Sequence, residues 1–135
     1  MKRLEISAQV ENLDAVTEFI TSELEAADCS MKAQMQIEIA VEELFVNIAH
    51  YAYAPNVGMA VISIGIEDGS AVITFEDSGV PYDPLAKEDP DITLSAQERD
   101  IGGLGIFMVK KSMDDMRYEY RDGKNILTIV KRLGK

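Results

Sequence analysis

A single cysteine, Cys29, leaves no partner for an internal disulfide. That usage suits a reducing compartment, and a small buried thiol is the plain reading of the residue itself. Basic residues are scarce, with 13 Lys and Arg against 24 Asp and Glu, a net charge of −11 and a pI near 4.4. Nucleic-acid binding rests largely on Lys and Arg displacing counterions, so no nucleic-acid partner is expected and any phosphate must be handled in a local site. Long apolar runs are missing as well. The opening MKRLEISAQV has basic residues but no apolar stretch of signal-peptide length, and no segment is long enough to span a bilayer. No membrane role is expected, and the cytoplasm is the expected address. Internal repeats, low-complexity tracts and Gly/Ser linkers are also lacking. Ordinary Pro and Gly levels exclude collagen-like and disordered classes, and 135 residues suit one domain, 1–135, that buries roughly two thirds of its unfolded surface.

What is present is a series of short periodic segments. KRLEISA alternates Leu4 and Ile6 with polar neighbours, as a first strand would. Asn12 or Asp14 can cap a helix running to about Asp28, with Val16, Phe19, Ile20 and Leu24 at helical spacing. A second helix is expected from Met31 to Tyr53, ended by Pro55, Asn56 and Gly58. Residues 59–66 and 71–76 then read as two antiparallel strands joined across Glu67-Asp68-Gly69-Ser70, where Asp-Gly favours a tight hairpin. Residues 77–103 hold three of the four prolines and seven Asp or Glu, a length unusual for a plain connection. Ile106, Phe107, Val109 and Met113 mark a third helix entered through Gly102, Gly103 and Gly105, and RYEY and NILTIVKR close the chain as a hairpin across Asp122-Gly123. A layer of helices over one face of a mostly antiparallel sheet buries these elements most simply.

Three polar features interrupt this pattern. In EELFVNIAHYAY, residues 42–53, Glu43 and Asn47 lie four apart beside the apolar stripe of Ile37, Ala40, Val41, Leu44 and Ile48. On this helix alone both read as solvated polar positions, and a functional reading needs partners elsewhere. Asp77-Ser-Gly-Val-Pro81 follows the strand AVITFE, so its aspartate can accept a hydrogen bond from a ligand amino group beside a glycine that admits close approach. Alone, it is also an ordinary turn. Gly102-Gly-Leu-Gly105 precedes IFMVKK, and glycines ahead of a helix let backbone N–H groups converge on a phosphate at its positive end. No Walker GxxxxGK[ST] occurs in the chain.

In this order, the ExxxN helix, the DxG at a strand end and the GGLG before a helix resemble the N, G1 and G2 boxes of the Bergerat-fold (GHKL) ATPases. The closer resemblance is to the small anti-sigma-factor and serine-protein-kinase branch of the histidine-kinase-like ATPases; it covers nearly the whole chain and includes the LGIFMVKKSMD run. It implies an α+β two-layer sandwich, with a mixed, mostly antiparallel sheet and three main helices on one face. It also implies ATP and Mg²⁺ as ligands. By the resemblance, Asn47 ligates Mg²⁺, Glu43 orients or deprotonates the attacking hydroxyl or water, and Asp77 receives the adenine amino group. Gly79 lets the base approach the backbone, Gly103, Leu104 and Gly105 face the phosphates, Thr128 supports adenine recognition, and residues 83–101 form a lid. As a strand residue Thr128 has an equally good structural explanation. The implied activity is transfer of the γ-phosphoryl group to a serine or threonine of a small anti-anti-sigma (STAS) protein. A sigma factor is the implied second partner, and a homodimer the implied assembly. The alternative in the same fold is a non-catalytic, ATP-dependent protein-binding switch. Two departures stand out: Pro81 occupies the second glycine of the usual DxGxG and removes a backbone donor, and His50 precedes Tyr51-Ala52-Tyr53 where relatives often carry His-Ala-Tyr. His50 reads as a partly exposed helix histidine.

Overall fold

Two Asp-Gly pairs turn the chain back on itself. Asp68 and Gly69 have φ of 50° and 78°, and Asp122 and Gly123 have 55° and 77°, so both turns hold the left-handed backbone at each central residue that a tight hairpin requires. They join β2 (Met59–Glu67) to β3 (Ser70–Asp77) and β4 (Asp115–Arg121) to β5 (Lys124–Arg132), as their spacing predicts. With β1 (Lys2–Ser7) the strands form one sheet in the order β1-β2-β3-β5-β4. Every pairing among the described residues is antiparallel, the limiting case of the mostly antiparallel sheet expected. The structure, a computed structural model, describes residues 1–53, 56–85 and 101–134.

The helices are α1 (Leu13–Ala26), α2 (Met31–Asn47) and α3 (Ile101–Ser112). α2 is the central one, packed against α1 on one side and α3 on the other. Val16, Ile20 and Leu24 recur every four residues on α1 and are fully buried, as are Ile37, Ala40, Val41 and Phe45 on α2. They meet the inward residues of the sheet, Ile62, Ile64, Ile73, Phe75, Leu127 and Ile129 among them, in one core. Cys29 is half-buried and packs against this cluster. No helix of the described residues is long and apolar enough to cross a membrane.

Three local readings change. Asn12 does not cap α1; its amide turns back and donates to Ser7 O at 2.9 Å and Ser7 Oγ at 2.7 Å. α2 ends as an α-helix at Asn47 and continues as a π-helical turn over Ile48–Ala52 rather than running unchanged to Tyr53. The glycines Gly102, Gly103 and Gly105 lie inside the first turns of α3, not ahead of it.

Ser30 fastens the start of α2. Its Oγ accepts from Ala33 N at 3.2 Å, and its backbone N–H donates to Leu133 O at 2.8 Å, which ties the end of the chain to the helix. Replacing Ser30 by Ala removes the cap and is expected to lower unfolding free energy by about 1 kcal/mol, read as a lower urea midpoint at unchanged slope.

Candidate functional site

Alternation along β3 decides the first site residue. Ala71, Ile73 and Phe75 point into the core, so Asp77 at the strand end points the same way and is 8% exposed. Its register partner on β5 is Asn125, 6% exposed, which continues the inward series Ile129, Leu127. A carboxylate buried to this degree is tolerated only when hydrogen-bonded. Asp77 Oδ1 accepts from Asn125 Nδ2 at 2.9 Å and from Gly79 N at 2.9 Å. No described residue donates to Oδ2.

The end of α2 supplies the second wall. The last carbonyls of a helix have no partner within it, and the π-helical turn leaves Ala52 O accepting from Val80 N at 3.0 Å. Gly79 lies so close that a Cβ built on it would sit 2.2 Å from Ala52 O, so only glycine lets the strand end meet the helix end. Tyr53 completes the join: its hydroxyl donates to Met59 O at 2.6 Å and accepts from Ser78 N at 2.7 Å. Its ring lies over Gly58, where a Cβ would come within 2.3 Å of it.

Between these walls is an open cavity of about 160 Å³ that brings Asn47 and Asp77 together. Its sides are largely apolar, from Ile48, Phe75, Val80 and Leu127, with Asn125 and Tyr118 at the polar end. Asn47 is half-buried, and its side chain has no hydrogen-bond partner among the described residues. Glu43, one turn earlier and exposed, has its carboxylate against α3, with Oε2 2.3 Å from the position a Cβ on Gly105 would take. Gly105 therefore leaves the space the carboxylate occupies. Gly103 and Leu104 belong to the first turns of α3.

Other expected residues fall differently. Thr128 is placed on the opposite face of the sheet from Asp77, with its Oγ1 3.3 Å from that of Thr74, its register partner. Parity along β5 gives the cavity to Asn125 and Leu127 instead, so Thr128 does not join the group. His50 is exposed, its ring edge-on to Tyr51 at 6.0 Å between centroids, and does not line the cavity; Pro81 does. Of the expected lid over 83–101, residues 86–100 lie outside the described residues; Asp83 Oδ1 accepts from Leu85 N at 2.8 Å at its start. Asn125, Tyr118 and Tyr53 were missed from sequence. Asn125 sits two residues past an Asp-Gly turn and reads as part of the hairpin; only the register opposite Asp77 distinguishes it.

Tyr118 donates its hydroxyl proton to Asn125 Oδ1. Burial pushes its phenol above the usual 10.0; the Tyr82 backbone hydrogen bond opposes the shift, and the Asp83 and Asp77 carboxylates and Tyr120 add to it. The neutral phenol is thus favoured in the folded chain. Its contribution to stability is complete below the ordinary tyrosine range and is lost as pH rises through the raised folded value.

The chain matches the family described as "Histidine kinase-like ATPase domain" over residues 6–131. It is 30% identical over 95 residues to proteins named serine-protein kinase RsbW from Bacillus cereus (strain AH820) and Bacillus anthracis; the match takes in 67% of this chain and 59% of those proteins. The chain thus spans less than two thirds of the length of these relatives. Among solved structures, the RsbU and RsbW domains of a Mycobacterium tuberculosis protein superpose with a TM-score of 0.68 at 18% identity, covering 98% of this chain and 32% of that one. The histidine kinase AdeS of Acinetobacter baumannii superposes with a TM-score of 0.50 at 15% identity, covering 100% of this chain and 70% of that one. At these identities the two structures show the fold.

Two outcomes test the site's construction. Gly79→Ala drives a methyl into a backbone carbonyl on a packed element and is expected to cost about 1–3 kcal/mol in chemical denaturation. In alkaline titration followed by tyrosinate absorbance, Tyr118→Phe is expected to remove a component that titrates above 10.0.

Proposed function

The chain belongs to the histidine kinase-like ATPase domain family, and on that footing we propose that it binds ATP with Mg²⁺ in this cavity and passes the γ-phosphoryl group to a serine or threonine of a small STAS-type protein. The observation that supports this most is the convergence of Asn47 and Asp77 on one largely apolar cavity, with Glu43 one turn before Asn47 on α2 and its carboxylate against Gly105 of α3, outside the cavity lining. The Asp77 carboxylate accepts from the adenine amino group, Gly79 lets the strand end close against Ala52 so that the wall beside the base is formed by backbone, and Ile48, Phe75 and Leu127 exclude water from its faces. Gly103, Leu104 and Gly105 offer backbone N–H groups to the phosphates at the start of α3.

The residues present suit the metal. No group of three or more His, Cys, Asp or Glu among the described residues forms a metal cage. Asn47 instead offers one neutral amide oxygen, unpartnered among those residues, which suits a hard cation that keeps its waters and phosphate ligands. When bound, Mg²⁺ neutralises charge on the triphosphate. Glu43 accepts the proton of the partner's hydroxyl as that oxygen bonds to the γ-phosphorus and the bridge to the β-phosphate breaks. Residues 1–135 act as one domain in the cytoplasm, with a sigma factor as second partner and a homodimer as the assembly.

Calorimetry with ATP and Mg²⁺, and transfer of labelled phosphate to candidate STAS proteins, test the two halves separately. Asn47→Ala is expected to weaken Mg-ATP binding about tenfold or more, the cost of one contact to a charged group. Glu43→Ala is expected to lower transfer by roughly 10²–10⁴ with nucleotide still bound. Undiminished transfer by Glu43→Ala would remove the general base, and binding without any transfer by the wild type would leave the non-catalytic switch. Gly105→Ala offers a finer check. Alanine favours a helix by about 1 kcal/mol over glycine, and the atom it meets is the mobile end of Glu43. The melting temperature should hold or rise while transfer falls on the order of a hundredfold, as for a misplaced catalytic group.

A further inference from the structure

The amide of Asn125 has every hydrogen-bonding position filled. Nδ2 donates to Asp77 Oδ1 at 2.9 Å and to Val80 O at 2.9 Å. Oδ1 accepts from Tyr82 N at 3.1 Å and from the Tyr118 hydroxyl. The orientation of the amide follows from chemistry: Tyr82 N can only donate and Val80 O can only accept, so a flipped amide would oppose donor to donor and acceptor to acceptor. Two of these partners flank Pro81, which has no N–H of its own. With Val80 N on Ala52 O and Gly79 N on Asp77 Oδ1, the stretch from 79 to 82 is fastened at each residue that has an N–H to give.

The same amide braces the carboxylate. Two donors on Oδ1 hold the Asp77 group about its Cβ–Cγ bond and leave Oδ2, which has no donor among the described residues, as an acceptor on a residue that lines the cavity. A 6-aminopurine presents a donor to that oxygen, whereas a 6-oxopurine presents an acceptor and is repelled. Discrimination of this kind requires the carboxylate to keep its orientation.

We propose that Asn125 is a positioning residue for base recognition, which orients Asp77 from the neighbouring strand and anchors the root of the segment after it across Pro81, so that the choice of a 6-aminopurine over a 6-oxopurine depends on its amide. This inference rests on the nucleotide site proposed above. Asn125 touches no ligand in this role and acts through Asp77 and the 80–82 backbone. Tyr118 belongs to the same device, because its hydroxyl fills the amide oxygen from β4.

The test uses the full chain with Mg-ATP and Mg-ITP, which differ at position 6 of the base, titrated calorimetrically into the wild type, Asn125→Leu and Tyr118→Phe. Hydrogen exchange of the Tyr82 amide is followed by NMR in the nucleotide-free chain. Asn125→Leu is expected to reduce the ITP-to-ATP ratio of dissociation constants about tenfold or more, with a smaller change in the same direction for Tyr118→Phe. Exchange at Tyr82 is expected to be slow in the wild type and about tenfold or more faster in Asn125→Leu. A merely structural role would weaken both nucleotides by one factor, and an unchanged ratio overturns the recognition role. Should Asn125→Leu fail to fold, Tyr118→Phe, which loses only one hydroxyl, carries the same comparison. A wild type that binds neither nucleotide refutes the proposed function and the recognition role with it. The Tyr82 amide decides the anchor independently, since rapid exchange in the wild type, or none gained in Asn125→Leu, overturns it.

Discussion

The pairing of Asp77 with Asn125 is the constraint from which the site follows. Two adjacent antiparallel strands, each alternating inward and outward, bring the last inward position of β3 opposite the first of β5, and both happen to be polar. An ionised carboxylate at such depth is costly unless its oxygens find donors. One oxygen takes a strand amide and a loop N–H, and the other has no donor among the described residues. The apolar series Ile73, Phe75 and Ile129, Leu127 therefore passes into a polar end at this point of the sheet. It is there that Asn47 arrives from α2.

What keeps two walls from different parts of the chain in register is a short set of contacts between the end of β3 and the end of α2. Val80 N on Ala52 O, Ser78 N on the Tyr53 hydroxyl, and that hydroxyl on Met59 O join loop, helix and β2 within a few residues. The π-helical turn matters because it ends the helix with a carbonyl free to accept. Gly79 matters because any side chain would hold the two backbones apart. The shape of the cavity thus depends on backbone geometry more than on the side chains that line it.

Much of this was legible in the sequence because it is periodic. Asp-Gly turns marked both hairpins, and spacing of four placed Val16, Ile20 and Leu24, or Glu43 and Asn47, on common faces. What was not legible depends on register. Thr128 and Leu127 are neighbours in sequence, and only the pairing of Thr74 with Thr128 shows that the threonine faces away from Asp77. Asn125 follows a turn and resembles turn chemistry, so its role appears only once β5 is laid beside β3. The π-helical turn was invisible for another reason: one widened turn leaves the apolar spacing of IAHYA nearly unchanged. Solved structures at 18% and 15% identity share the fold, so a core of this pattern can be built from largely different residues. The polar end of the cavity is where particular residues matter.

The start of α3 shows that requirement at work. Gly102, Gly103 and Gly105 lie within five residues inside a helix, where each is roughly 0.8–1 kcal/mol less favourable than alanine. A sequence selected only for stability would not place them there. α3 tolerates them because Ile106 and Val109 fasten its later turns to the core, with Met113 just beyond its end. At Gly105 the compensation is visible, since the missing side chain is the space in which the Glu43 carboxylate lies. A methyl group there would leave α2, α3 and the core as they are and move only that carboxylate. The glycine is therefore explained by the position of Glu43, and the helix by its apolar later turns, a division of labour within twelve residues.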